Sequence, residues 1–274
     1  MENKISTAHR TSHITAHRTT PAAPRRAAAA VGTVAAALAL VGAAATGPAF
    51  AEAGPASDPD ILSTVDYSDC PQDLPAGVDR AAWRCEVTVT YGHITLGGID
   101  MPDIKPITLV HAEGPLADGT FGQVFGSLRA EPTPVPGGLL GGTKGRSPVL
   151  GLAVQPEYGG YSDFLGTATN KGALGMKFRL VSPLLGRGCT IGTDENPVDL
   201  HLSKAGPSTW LSKNPPLVRF EAYDNTFTTP QATDCGPLGQ LVNRRDKLPA
   251  GSGANHLSYT AYYTFKTYDQ LPAA

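Results

Sequence analysis

Four cysteines, seven histidines and a scatter of carboxylates are the residues of this sequence whose side chains could do chemistry. Cys70, Cys85, Cys189 and Cys235 form no C-x-x-C, and no histidine stands at a metal-ligand spacing from any of them. An even count fits two disulfides. Three pairings exist, and the locality of each pair favours Cys70–Cys85 and Cys189–Cys235, stabilising by ~3 and ~4 kcal/mol on the loop-entropy model. Gly160-Tyr161-Ser162-Asp163-Phe164 resembles a nucleophile elbow but lacks the closing glycine. Gly141-Gly142-Thr143-Lys144-Gly145 is glycine-rich with a lysine, yet misses the phosphate-loop spacing. The acidic stretch Thr193-Asp194-Glu195-Asn196-Pro197 could offer carboxylates to calcium, but Asp and Asn before Pro are turn formers in their own right. Glu221 and Asp224, three apart at a strand end, read as a polar face with a turn cap. His93, His111, His201 and His256 each fall in or beside a strand pattern, and none neighbours another in sequence. No catalytic residue, metal ligand or cofactor site is assigned from these patterns, and the expectation is a non-enzymatic protein without a cofactor.

Aromatic and apolar residues supply the candidate binding surface. Tyr158 and Tyr161 cluster with Phe164 around Gly159-Gly160. Tyr262 alternates with the core set of the last strand and is expected to point outward, where tyrosine gives contact area at low entropic cost. Leu139 and Leu140 lie at the centre of residues 131–148, flanked by glycines. They either fold back on the domain as a lid or form an exposed apolar tip.

The elements that must position these residues are strands. The chain holds 31 Gly and 24 Pro in 274 residues, about a fifth against about an eighth on average, and both residues cost most inside helices. Period-two alternation recurs. Cys85, Val87 and Val89 alternate with Glu86, Thr88 and Thr90; Leu174, Met176, Phe178 and Leu180 with Gly175, Lys177 and Arg179; Val198, Leu200 and Leu202 with Asp199 and His201; Val218, Phe220 and Ala222 with Arg219 and Glu221; Leu257, Tyr259, Ala261, Tyr263 and Phe265 with Ser258, Thr260, Tyr262 and Thr264. Each pattern places one set on a core face and the other toward solvent. Weaker runs cover 94–96, 107–111, 123–130 and 149–155. Residues 131–148 read as a long loop. Leu238, Leu241 and Val242 predict a short amphipathic helix after Cys235. The fold class is therefore all-β: an antiparallel sandwich or barrel-like domain with one short helix near the C-terminus and two disulfides.

Residues 1–51 read as a signal peptide: a basic n-region with Arg25 and Arg26 at its end, an uncharged Ala/Val/Leu run, and Ala49-Phe50-Ala51 as the cleavage pattern. Sec export is favoured over the twin-arginine route, and cleavage leaves no stable transmembrane span. His9, His13 and His17 leave with this segment. Residues 52–60 form a flexible leader and 61–274 a secreted β domain. The part after residue 51 keeps 17 of the 22 basic and 23 of the 24 acidic residues. That mildly acidic balance offers no footprint for nucleic acid.

Residues 180–192, LVSPLLGRGCTIG, followed by Asn196-Pro197-Val198-Asp199-Leu200-His201-Leu202, resemble a segment of an uncharacterised family of secreted actinobacterial proteins. So do Asp224-Asn225-Thr226-Phe227, Cys235-Gly236, Leu248-Pro249-Ala250 and Gly253-Ala254-Asn255. The match spans roughly residues 158–265. It implies a β-rich extracytoplasmic domain with a short helix near its end and supports pairing of Cys189 with Cys235, but brings no activity, substrate or cofactor. The leading expectation is thus an exported envelope or extracellular β protein with a structural or binding role. The alternatives are a binder of a small apolar ligand or lipid in a β cavity, and a hydrolase with titratable residues converging in a cleft.

Overall fold

A computed structural model describes residues 58–141, 148–166 and 169–272. The expected signal peptide and most of the leader lie outside them.

The architecture is all-β. The long strands β1 (Arg84–Leu96), β2 (Ile99–Pro115), β3 (Phe121–Ala130), β5 (Ala153–Asp163), β6 (Asn170–Val181), β8 (Val198–Lys204), β10 (Pro216–Asp224) and β12 (His256–Thr267) form one antiparallel sheet. Its order is β3-β2-β1-β12-β10-β8-β6-β5, and the short strands β4 (Thr133–Pro134), β7 (Thr190–Ile191), β9 (Thr209–Lys213) and β11 (Ala232–Thr233) pair along it. The sheet curls into a half-barrel whose edge strands, β3 and β5, share no backbone ladder. Side chains bridge the seam instead. Gln155 Nε2 donates to Ala130 O at 2.8 Å, Gln123 Nε2 donates to Ser162 O at 2.8 Å, and Phe125 stacks on Tyr158 with ring centroids 3.7 Å apart. Pairing through side chains covers edges that would otherwise template association with another chain.

Most alternating patterns face as expected: Leu174, Met176, Phe178 and Leu180, and Val198, Leu200 and Leu202, are buried in the interior. Strand β1 is the correction. Its apolar set, Cys85 and Val87 with Val89, packs outward under the segment 58–83, while Arg84, Glu86, Thr88 and Thr90 face inward. The cause is that segment, which covers the outer faces of β1 and β12 with Ile61, Cys70 and Trp83 and so gives β1 two buried faces. Trp83 lies so close to Gly114 that a Cβ there would come within 2.6 Å of its ring, and its Nε1 donates to Pro115 O at 2.8 Å. Asp58 accepts from Tyr262 Oη at 2.7 Å and from Arg219 at 3.2 Å, so the anchored chain begins before residue 61.

Both disulfides pair as the locality argument favoured, Cys70–Cys85 and Cys189–Cys235. The first fastens the covering segment to β1. The second joins the turn before β7 to the start of the helical stretch ending in α1 (Gly239–Arg245). Val242 is buried on that helix, whereas Leu241 is 44% exposed, so the apolar face runs through Leu238 and Val242 alone. Asn243 holds the helix to β11, accepting from Ala232 N and donating to Ala232 O. Two local departures reflect proline. Residues 148–150 form a 3-10 turn, so the strand expected at 149 begins at Ala153, and the loop 131–148 contributes the short strand β4.

Candidate functional site

One end of the half-barrel interior is filled. Leu96, Ile99, Met101, Phe178, Ile191, Val198 and Val242 pack there without exposure. The other end is a cavity of about 510 Å³. Its floor is the upper layer of that core, including Leu174, Leu200 and Leu257, and its walls come from the concave faces of β1, β2, β3, β6, β8, β10 and β12. Leu109, Leu128, Phe220, Tyr259 and Tyr263 complete an apolar and aromatic lining, and Phe164 and Leu165 reach over it from the end of β5. Gln123 holds that reach, its Oε1 accepting from Phe164 N at 2.8 Å.

Strand register places charged groups at the far end of the cavity. Glu86 on β1 is the direct cross-strand partner of His111 on β2, and Arg84 is the partner of Glu113. Side chains two apart on a strand share a face, so all four converge inward. A bulge helps to set them. Val110 opposes Ser127 but His111 opposes Phe125, leaving Gly126 of β3 unpaired. That residue must be glycine, because a Cβ would sit 2.7 Å from Asp69 O of the covering segment. Bulges of this kind re-aim side chains next to functional sites.

Glu113 Oε1 accepts from Arg84 Nε at 2.7 Å and also from Arg84 Nη2. Burial works against its ionisation, but His111 and Arg84 outweigh that cost and hold the carboxyl below its ordinary range. Glu86 is the opposite case. Burial pushes it up, His111 opposes, and the neighbouring Glu113 adds to the rise; Arg84 stands 3.6 Å away with its guanidinium committed to Glu113. Lys171 lies over the Phe220 ring at 3.9 Å, and burial followed by repulsion from Lys204 pushes it down. Burial raises Tyr259 and Tyr263. The His111 side chain is 4% exposed, its ring 4.8 Å from that of Phe164 and its Nε2 3.7 Å from Glu113 Oε2. Its Nδ1 is buried with no hydrogen-bond partner.

The residues picked out in the sequence fall elsewhere. Tyr262 lies on the outer face of β12, where alternation places it, but it is not exposed there: it is 6% exposed, packed with Ile61, Val89 and Leu217 beneath the covering segment. Leu139 and Leu140 divide, the first 1% exposed in the core and the second 56% exposed. Tyr158 is spent on the seam, while Tyr161 is exposed beside the irregular pairing of β5 with β6. The histidines lie apart in sequence, yet three meet carboxylates: His93 with Asp100 at 2.6 Å, His201 with Asp199 at 3.3 Å, and His111 with Glu113. Asp224 caps its turn, accepting from His201 N and from Thr226. The Glu86–His111–Glu113 convergence escapes sequence reading because cross-strand register, not linear spacing, creates it; its one trace is the run of polar residues alternating along 84–90.

No protein-family model, curated protein or solved structure matches the chain. Among the described residues, no helix is long and apolar enough to cross a membrane.

Proposed function

We propose that the protein is an exported carrier of a small amphipathic ligand, a lipid or lipid-like molecule, held in the half-barrel cavity. The observation that carries this reading is the cavity itself. About 510 Å³ lined by leucine, phenylalanine and tyrosine, with polar groups gathered at one end, matches the size and chemistry of small-molecule sites. A protein with a purely structural role gains nothing from leaving such a volume unfilled, since voids forfeit packing energy. The ligand's apolar body would lie on Leu174, Leu200 and Leu257 and its head among Glu86, Lys171 and Lys204. Two disulfides, the N-terminal signal pattern and the resemblance to secreted actinobacterial proteins support an extracytoplasmic setting.

The convergence of titratable groups also bears on the hydrolase reading. Among the described residues no serine or threonine hydroxyl is hydrogen-bonded to His111, so this convergence lends no support to a hydroxyl nucleophile.

Mass spectrometry of an organic extract of the natively purified protein tests the carrier reading, together with titration of a fluorescent fatty acid. A bound compound near one per chain, or saturable probe binding abolished by Leu109→Trp, is the expected result. A clean extract together with non-saturable probe binding overturns it.

A further inference from the structure

We propose that Glu86, His111 and Glu113 form a binding site for a divalent first-row transition-metal ion of the zinc class, facing the cavity. The proposal does not depend on the carrier reading, because it concerns only what these three side chains hold.

The first support is geometry. One ligand atom from each residue lies within 4.8 Å of the other two, and all three are fixed by strand register: Glu86 opposite His111, Glu113 two residues further along the same face. The His111 Nε2 to Glu113 Oε2 distance of 3.7 Å is too long for a hydrogen bond. It suits two ligands of one ion bound at about 2.0–2.2 Å each, after a shift of a few tenths of an ångström.

The second support is independent of the cluster's composition. His111 is a nine-tenths-buried imidazole with an unpartnered Nδ1, one of a few buried side-chain atoms without a partner among the described residues, the others being on Arg179, Thr233 and Asp246. Buried polar groups without partners mark the place of an absent ion or water more often than a tolerated loss. The nitrogen turned toward the carboxylates is Nε2, 3.7 Å from Glu113 Oε2 and beyond hydrogen-bond distance, so neither ring nitrogen of this buried imidazole is satisfied among the described residues and Nε2 is the one placed to ligate.

Charge gives the third support. Two glutamates in one pocket repel, and the guanidinium beside them engages Glu113 through Oε1, leaving Oε2 toward His111 with no hydrogen-bonded cation among the described residues. In that arrangement Arg84 orients a ligand from behind, as the outer partners of metal sites do. Lys171 and Lys204 also line the cavity; Lys171 lies over the Phe220 ring, and neither makes an ion pair with Glu86 or Glu113. One imidazole with two carboxylates is an N/O donor set, which suits Zn2+, Mn2+ or Fe2+ and disfavours soft ions such as Cu+. With three protein ligands, the remaining position faces the cavity, open to water or to the head of a bound molecule.

The test uses the full chain, stripped with a chelator and titrated with Co2+ followed by visible absorption and with Zn2+ by calorimetry. One ion per chain is expected, with a visible Co2+ band indicating ordered coordination. Glu86→Gln and His111→Gln should each weaken binding at least tenfold while circular dichroism and the thermal midpoint stay near wild type. His93→Gln, which alters the exposed His93–Asp100 pair instead, should leave affinity unchanged. Absence of saturable binding by the folded chain overturns the proposal, as does binding that survives both cavity substitutions or vanishes with His93→Gln. Should His111→Gln fail to fold, Glu86→Gln alone decides, because Glu86 carries no hydrogen bond the fold relies on.

Discussion

The two ends of the same half-barrel solve opposite problems with the same strands. Toward the end where β1 turns into β2, inward positions carry Ile94, Leu96, Ile99 and Met101, closed from the far side by Leu139, Val242 and the Cys189–Cys235 bridge. Toward the other end of those strands, inward positions carry Arg84, Glu86, His111 and Glu113, and the space between them is left open. The apolar end follows the rule that folding energy comes from burial and close packing. The polar end spends that energy on buried charge and empty volume, which stable folds retain where a site demands it. The difference teaches that close packing and open volume are separated along the strand direction, so that substitutions at the two ends should behave differently.

The largest contrast lies in the filled end. Phe178, fully buried in the middle of the core, should cost about 3–5 kcal/mol when changed to Ala, read as a lowered denaturant midpoint. A loss below about 1 kcal/mol would show that this end is not packed tight and would erase the comparison. Leu139→Ala and Leu140→Ala sharpen it. The first removes a buried contact in the same core and should cost about 2–5 kcal/mol; the second, at an exposed neighbour, should fall within about 0.5 kcal/mol. Equal effects would mean that residues 138–140 do not cap the core.

How much of this was legible in the sequence follows the same division. The filled end announces itself, because apolar residues at every second position of 174–180 and 198–202 have one physical outcome, a buried face. The disulfides are legible from their locality, and the short helix from the spacing of Leu238, Leu241 and Val242. Strand β1 misled because alternation fixes which side chains share a face but not which face is inside. Only the covering segment, with Ile61, Cys70 and Trp83, decides that the apolar set of β1 looks outward. Tyr262 misled for the same reason. The polar site was invisible because Glu86, His111 and Glu113 meet through pairing between strands, and a single sequence carries no record of register.

At the cavity end, truncation should be mild. Leu109 is half-buried and already borders open volume, so Leu109→Ala removes few packing contacts and should cost about 1 kcal/mol. The same change should alter probe affinity more than it alters stability. A penalty matching that of Phe178→Ala would mean that the cavity is closed in solution.

The smallest effect, and the most telling in sign, concerns Glu86. Burial raises its carboxyl and the nearby Glu113 adds to the rise, so the folded state holds the proton more tightly than the unfolded chain. The folded state then binds more protons between the two pKa values, and stability falls as pH rises through that interval. Glu113 works the other way: its lowered carboxyl contributes stability above the ordinary carboxylate range that is lost as pH falls through its folded value. In metal-free protein, Glu86→Gln should match wild type below the ordinary carboxylate range and become equally or more stable as pH rises above it, because ionising Glu86 costs only the wild type. Denaturation of the two chains across pH checks this. A variant less stable than wild type at neutral pH would mean that Arg84, His111 and Lys171 attract the ionised Glu86 by more than its burial costs, and the polar end would then stabilise the fold as the apolar end does.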